Sequence, residues 1–175
     1  MAIYEFEGKT PKISEDSFVH PQATIIGAVT IGKNCFIGPG AVLRGDLGEI
    51  EIGDGTNIQD NCVIHADRKT VIHENIIVGH NAVIHDAIIK SGVVVGMGAI
   101  VMNGVVAEED VIIGAGSVVK EDFKIPSRRI VVGNPARAVK KIDEEGKQKV
   151  LDGLQHYREL AERYKKGLKL LAMTS

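Results

Sequence analysis

An aliphatic residue returns every six positions along most of the chain. The series runs Ile13, Val19, Ile25, Ile31, Ile37 and Leu43, resumes at Ile52, Ile58 and Ile64, and again at Ile72, Val78 and Ile84. It closes with Ile89, Val95, Val101, Ala107, Ile113, Val119, Ile125 and Val131. Of these 20 positions only Ala107 lacks a branched aliphatic side chain. The register slips by three residues after Leu43, by two after Ile64 and by minus one after Ile84, and the final run of eight is unbroken. Two residues before many of these positions stands a mostly small one, as in Ala23, Cys35, Ala41, Thr56, Cys62, Ala82, Ala87, Ala99 and Ser117. A period of six fits neither a helix nor a lone strand. It is the mark of a solenoid in which short strands stack coil on coil and each coil buries its apolar face only against its neighbours. Both cysteines fall in the small slot, so they read as buried hydrophobes at tight corners rather than redox or metal groups.

The pattern changes near residue 142. Residues 1–142 hold all 22 isoleucines and 19 of the 20 valines but only Leu43 and Leu47 among the leucines; the last 25 residues hold the other six. Branched β-carbons suit strands, whereas leucine suits helices. All but three of the 20 glycines also lie in the first part, which implies many tight turns. The chain therefore divides into a β portion, 1–140, and an amphipathic helical segment, 141–175, packed on it. The helix is predicted from Asp143 to about Leu171. Asp143 can cap it, and Glu144 and Glu145 suit its N-terminal dipole. Val150, Leu151, Leu154, Tyr157, Leu160, Ala161, Tyr164 and Leu168 make one stripe. Gly146, Gly153 and Gly167 weaken this helix, so it needs a surface to dock on.

Composition narrows the class. The chain has 175 residues, is 44% hydrophobic and 25% charged, and carries a formal net charge of −2. That excludes a disordered chain and an electrostatic nucleic-acid binder. Aromatic residues make up 4% and tryptophan is absent, which suits a narrow core of Ile and Val. The uncharged stretch Ser91 to Ala107 is 17 residues long and broken by Gly92, Gly96, Gly98, Asn103 and Gly104, so no membrane helix is expected. The N-terminus lacks the basic and apolar regions of a signal peptide, and the expected location is cytoplasmic.

A small residue, a spacer, an aliphatic residue and often a glycine, every six residues, resembles the hexapeptide repeat of left-handed parallel β-helices. Three hexapeptides make one triangular coil there, so 20 give six to seven coils in an all-β fold with a C-terminal helix. The left hand is what the resemblance implies, since chain twist alone favours right-handed crossovers.

Counting hexapeptides in threes places Ile25, Leu43, Ile64, Ile84, Val101 and Val119 on one face. The residues that follow point outward. Arg44, His65 and His85 thus stack on successive coils, with rungs about 4.8 Å apart. Two imidazoles on adjacent rungs can share an ion at about 2.0–2.1 Å from each nitrogen. A second column, two residues beyond Ile37, Ile58 and Val78, holds Pro39, Asp60 and His80. His80 precedes His85 by five residues, roughly 16 Å of extended chain, shortened somewhat by a corner. One ion can therefore take all three imidazoles only if His80 comes from a neighbouring subunit. A single surface histidine is ordinarily just that, and His73, His20 and His156 are so read.

The segments Leu43-Arg44-Gly45-Asp46, Asn57-Ile58-Gln59-Asp60-Asn61, Ile64-His65, Gly79-His80-Asn81-Ala82-Val83-Ile84-His85 and Gly133-Asn134-Pro135-Ala136 resemble those of the γ-class carbonic anhydrase family, nearest its PaaY/CaiE-like branch. The resemblance spans Tyr4 to about Tyr164. It implies a homotrimer with interfacial metal sites, each taking His65 and His85 from one subunit and His80 from the next. Zinc is the usual metal, and iron or cobalt serves in some members. It further implies that Arg44, Asp46 and Asp60 form subunit-bridging ion pairs, and that Gln59 and Asn57 orient water and carbon dioxide. Tyr157 matches a helix tyrosine near the active site, although its spacing from Leu154 and Leu160 also suits packing. Three neutral imidazoles leave a +2 ion with an open position, where a bound water has a pKa around 7. The resemblance thus implies reversible hydration of carbon dioxide to bicarbonate.

The chain departs from that pattern in two places. Leu47 stands where an acidic proton shuttle follows Asp46, and the loop after His65 is only Ala66-Asp67-Arg68-Lys69-Thr70, with Asp67 read as a solvated charge. The alternative activity is that of an acyl-CoA thioesterase or acyltransferase on the same trimer, because the PaaY/CaiE-like branch belongs to CoA-thioester pathways. A purely structural metal would need four protein ligands, and only three histidines converge.

Overall fold

The computed structural model describes residues 2–171. The chain winds into a left-handed parallel β-helix of about seven coils, closed by one C-terminal helix. Each coil gives one short strand to each of three faces. The 20 aliphatic positions line the interior as the periodicity requires. Ile25, Leu43, Ile64, Ile84 and Val101 follow one another in parallel register up one face and are fully buried. Only Ile13 and Val19, in the first coil, are half-buried, because among the described residues a coil covers them on one side only.

The corners explain the small slot. The residue just before it takes a left-handed conformation: Asn34 before Cys35, Asn61 (φ 56°) before Cys62, and Asn81 before Ala82. Asparagine tolerates this region, and glycine adopts it freely. Gly40 (φ 71°) precedes Ala41, and a Cβ there would lie 2.2 Å from Asn61 Oδ1 in the next coil. Backbone and stacking both require the missing side chain.

Two strands were not predicted, and the predicted helix keeps its Asp143 cap but ends early. Ala2–Tyr4 pairs with Thr24–Ile26 and completes the first coil; the excursion closed by the Phe6–Lys9 bridge hides it from a six-residue count. Ala136–Lys141 turns back antiparallel along Arg129–Gly133 and caps the end of one sheet. The helix runs Glu144–Gly167, with Asp143 Oδ1 accepting the Gly146 N–H at 2.8 Å, so it stops short of Leu171. Leu170 and Leu171 are exposed and find no surface to dock on, while Gly167 ends the helix. The predicted segment's residues 172–175 lie outside the described residues.

Within the helix the apolar stripe is narrower than predicted. Leu154 and Ala161 are buried, whereas Leu151 is exposed, as is Leu168 just past the helix end. The stripe meets an aromatic patch on the outside of the solenoid. Phe18 stacks on Phe36 at 5.5 Å, and Tyr164 packs against both, at 5.3 and 5.6 Å. No helix among the described residues is long and apolar enough to cross a membrane.

Both cysteines are buried. Burial raises the thiol pKa of Cys35, and it pushes Cys62 up to about 11. A thiol reacts as its thiolate. At pH 8 the folded protein should therefore release no chromophore from a disulfide thiol reagent, and the denatured protein should titrate two thiols. A rapid equivalent from folded protein would contradict the corner packing.

Candidate metal centre

The face-counting holds at the site. Arg44 pairs in register with His65, and His65 with His85. The two rings stand 4.8 Å apart between centroids, and His65 Nδ1 lies 2.9 Å from His85 Nε2. The other nitrogen of His65, Nε2, contacts Asp46 Oδ1 at 3.0 Å, and Asp46 Oδ2 accepts from Arg44 Nη1 at 2.5 Å. Desolvation alone would raise the Asp46 carboxyl; the Arg44 and His65 hydrogen bonds outweigh it and bring it down to about 2. Asp46 is therefore a fixed anion that holds the His65 ring by one nitrogen and leaves the other toward His85. Such carboxylate–imidazole contacts orient metal-binding histidines.

His80 sits where the second column places it. Its Nδ1 is 3.1 Å from Asp60 Oδ2, and its backbone N–H donates to Gln59 Oε1 at 3.1 Å. His80 is not part of the ligand-forming group around His65 and His85. Within one chain the structure thus brings two of the predicted ligands together and leaves the third apart, its ring oriented by a carboxylate in the same manner as His65.

Asn57 and Gln59 are both buried. Asn57 pairs between Phe36 and Ile77, the strands that meet the helix. Neither atom of its amide finds a hydrogen-bond partner, an arrangement that ordinarily costs free energy. Tyr157 lies on the same side, 5.7 Å from the Phe36 ring, and burial and the Asp60 charge raise its hydroxyl pKa. Within the chain Tyr157 and Asn57 group with the Asp60–His80 side, not with the His65–His85 pair. Arg44 and Asp46 pair within one chain, and Asp60 is engaged by His80.

Sequence reasoning missed Asp67. Its Oδ1 lies 3.8 Å from both His65 Nδ1 and His85 Nε2, and the three residues form the only ligand-forming group of its kind among the described residues. The short loop is pinned on every side. The Arg68 N–H donates to Asp86 Oδ1, Thr70 Oγ1 donates to the His65 carbonyl, and the Gly48 N–H donates to the Ala66 carbonyl. The two-residue slip in the register is the only sequence trace of this arch. A cavity of about 690 Å³ between the helix and the coils is lined by Asn75, Asp110, Lys147, Leu151 and Arg158 among others, and by none of these site residues.

Comparison with known proteins places the fold in a family. Residues 10–45 match the bacterial transferase hexapeptide model, which describes six repeats. The carnitine operon protein CaiE of Salmonella newport is 40% identical over 171 residues, 96% of this chain and 86% of that protein. A hexapeptide transferase family protein of Anaplasma phagocytophilum superposes with a TM-score of 0.91 at 36% identity, over 93% of this chain and 98% of the other. A Bacillus cereus protein provisionally called an acetyltransferase gives 0.93 at 32% identity, over 94% and 96%. The chain belongs to the hexapeptide-repeat transferase family, in the group that includes CaiE. These relatives carry transferase and operon names rather than a lyase name, so they favour the acyl-group alternative over carbonic anhydrase.

Proposed function

We propose that this protein is a metal-dependent enzyme that delivers activated water to a carbonyl carbon at a subunit interface. One observation carries the reading: His65 Nδ1 and His85 Nε2 converge to 2.9 Å while Asp46 holds the other nitrogen of His65. Two ligands of a tetrahedral zinc-like ion stand roughly 3.3 Å apart at bonds of 2.0–2.1 Å, so a small opening of this pair admits the ion. When bound, such an ion brings the pKa of its water to around 7. The chain's own residues do the rest. Asp46 fixes the His65 tautomer, and Asp60 holds His80 by Nδ1 so that Nε2 is presented outward. Gln59, its carbonyl engaged by the His80 backbone, keeps its amino group to orient a water or substrate oxygen.

A neighbouring copy supplies His80. The face that carries His65 and His85 is apolar on the outside, with Val63 and Ile100 each about two-fifths exposed and Met97 more so. His80 and the His65–His85 pair lie toward opposite edges of that face, so a contact joining them is heterologous. A heterologous contact whose rotation closes gives a ring rather than a two-fold dimer. The homotrimer is the ring the family resemblance implies.

Two substrates fit this chemistry. An acyl-CoA thioester, hydrolysed or transferred, is favoured by the transferase names of the relatives. Carbon dioxide is favoured by the imidazole set itself. Stopped-flow hydration by zinc- and iron-loaded protein, run beside a panel of acyl-CoA thioesters with and without amine acceptors, separates them. Metal-dependent turnover is expected in one arm. Identical rates for loaded and chelator-treated protein in both arms would end the proposal.

A further inference from the structure

We propose that Asp67 is a metal ligand, so that one chain holds the ion by itself through two imidazoles and a carboxylate before a neighbour's His80 reaches it. The inference rests on the metal reading above and goes beyond its three histidines. Asp67 Oδ1 is equidistant, at 3.8 Å, from the two nitrogens that face each other across the pair. All three donor atoms fall within 4.8 Å of one another. A carboxylate oxygen binds zinc at about 2.0–2.2 Å, and an ion drawn between the rings closes most of the remaining gap.

The arch that carries Asp67 is built for a fixed position. It has three exposed residues, Asp67, Arg68 and Lys69, between the buried Ala66 and the buried Thr70. The Arg68 N–H bond to Asp86 ties it to the corner that follows His85, and the Thr70 bond ties it to the His65 carbonyl. Loop and ligands therefore move as one unit, which lowers the ordering cost of a third donor. The side chain is about half exposed, and its nearest cationic-capable partners are the two imidazoles themselves.

Two consequences follow. Two imidazoles and one carboxylate form a harder donor set than three imidazoles, one that suits Fe²⁺ and Co²⁺ as well as Zn²⁺. The ion is also retained when the interface opens, because losing His80 leaves three donors rather than two; with His80 in place a reactant water would take a fifth position, a coordination number zinc can reach.

Cobalt uptake tests this directly. Co²⁺ is titrated by calorimetry into metal-free wild type, Asp67→Asn, His80→Ala and the double variant, and the visible absorption of each complex is recorded. Asn is isosteric, and residue 67 is exposed, so the fold is retained. His80→Ala is expected to keep one Co²⁺ per chain with affinity lowered by about 100-fold or more, beyond the 10–100-fold that loss of an outer-shell partner costs. Adding Asp67→Asn should lower it by at least another ~100-fold, and Asp67→Asn alone should change the Co²⁺ band positions. Equal affinity and spectra with and without Asp67 would overturn this inference and leave the histidine site standing. Wild type that binds no Co²⁺ would overturn both.

Discussion

Replacing His85 with alanine should strip the metal and the activity together. His85 Nε2 is one of two nitrogens that face each other at 2.9 Å, and the next outward residue up the column is Met102, which offers no substitute donor to a zinc-like ion. Loss of an outer-shell partner already costs 10–100-fold in metal affinity; loss of a ligand should exceed the upper end, about 100-fold. His73 provides the control. It follows Ile72 on a different face, is exposed, and makes no contact with the pair. His73→Ala should leave metal content and turnover within about twofold of wild type. Metal per chain after dialysis against a weak chelator, measured beside turnover, checks both. Full metal content in the His85 variant would remove the assignment.

That prediction was open to the sequence because the period is rigid. With six residues per face and three faces per coil, a count along the chain becomes a position in space. It put Arg44, His65 and His85 on paired rungs, as the register has them. It put His80 beside Asp60 on another column, where their side chains meet. What the count could not reach lies where the period breaks. Asp67 stands in the two-residue slip, and its direction comes from hydrogen bonds of Arg68 and Thr70 to residues of other strands. A loop of that length reads as solvated charge until its anchors are known. Ala2–Tyr4 is hidden for the same reason, by the excursion between it and Lys12. Tyr157 shows a different limit. Helical spacing gives it a packing role, and the aromatic patch confirms the packing, but the nearby Asp60 charge depends on where the helix docks. The buried Asn57 amide likewise depends on that docking, since strand pairing alone leaves its side chain on the outside of the coil.

The second large effect belongs to the core directly behind the histidines. Ile84 is fully buried, pairs in register with Ile64 below and Val101 above, and precedes His85. Ile84→Ala should cost about 2–5 kcal/mol, the transfer loss plus a cavity that a narrow prism of stacked coils cannot collapse. The urea midpoint should fall with little change in slope, at one fixed protein concentration, because an oligomer's midpoint depends on it. Ile113→Ala removes an equally buried side chain more than one and a half coils further on, on another face, where it stacks on Val95 rather than next to the histidine-bearing coil. Its stability cost should be similar. The two variants should differ at the metal. In a solenoid each coil is coupled chiefly to its neighbours, so slack behind His85 loosens the ring and lowers affinity, whereas slack behind Ile113 does not. Calorimetric metal titration of both variants under native conditions reads the difference. Equal affinities would show that the histidines are held by their outward contacts with Asp46 and Asp67 rather than by the coil that bears them.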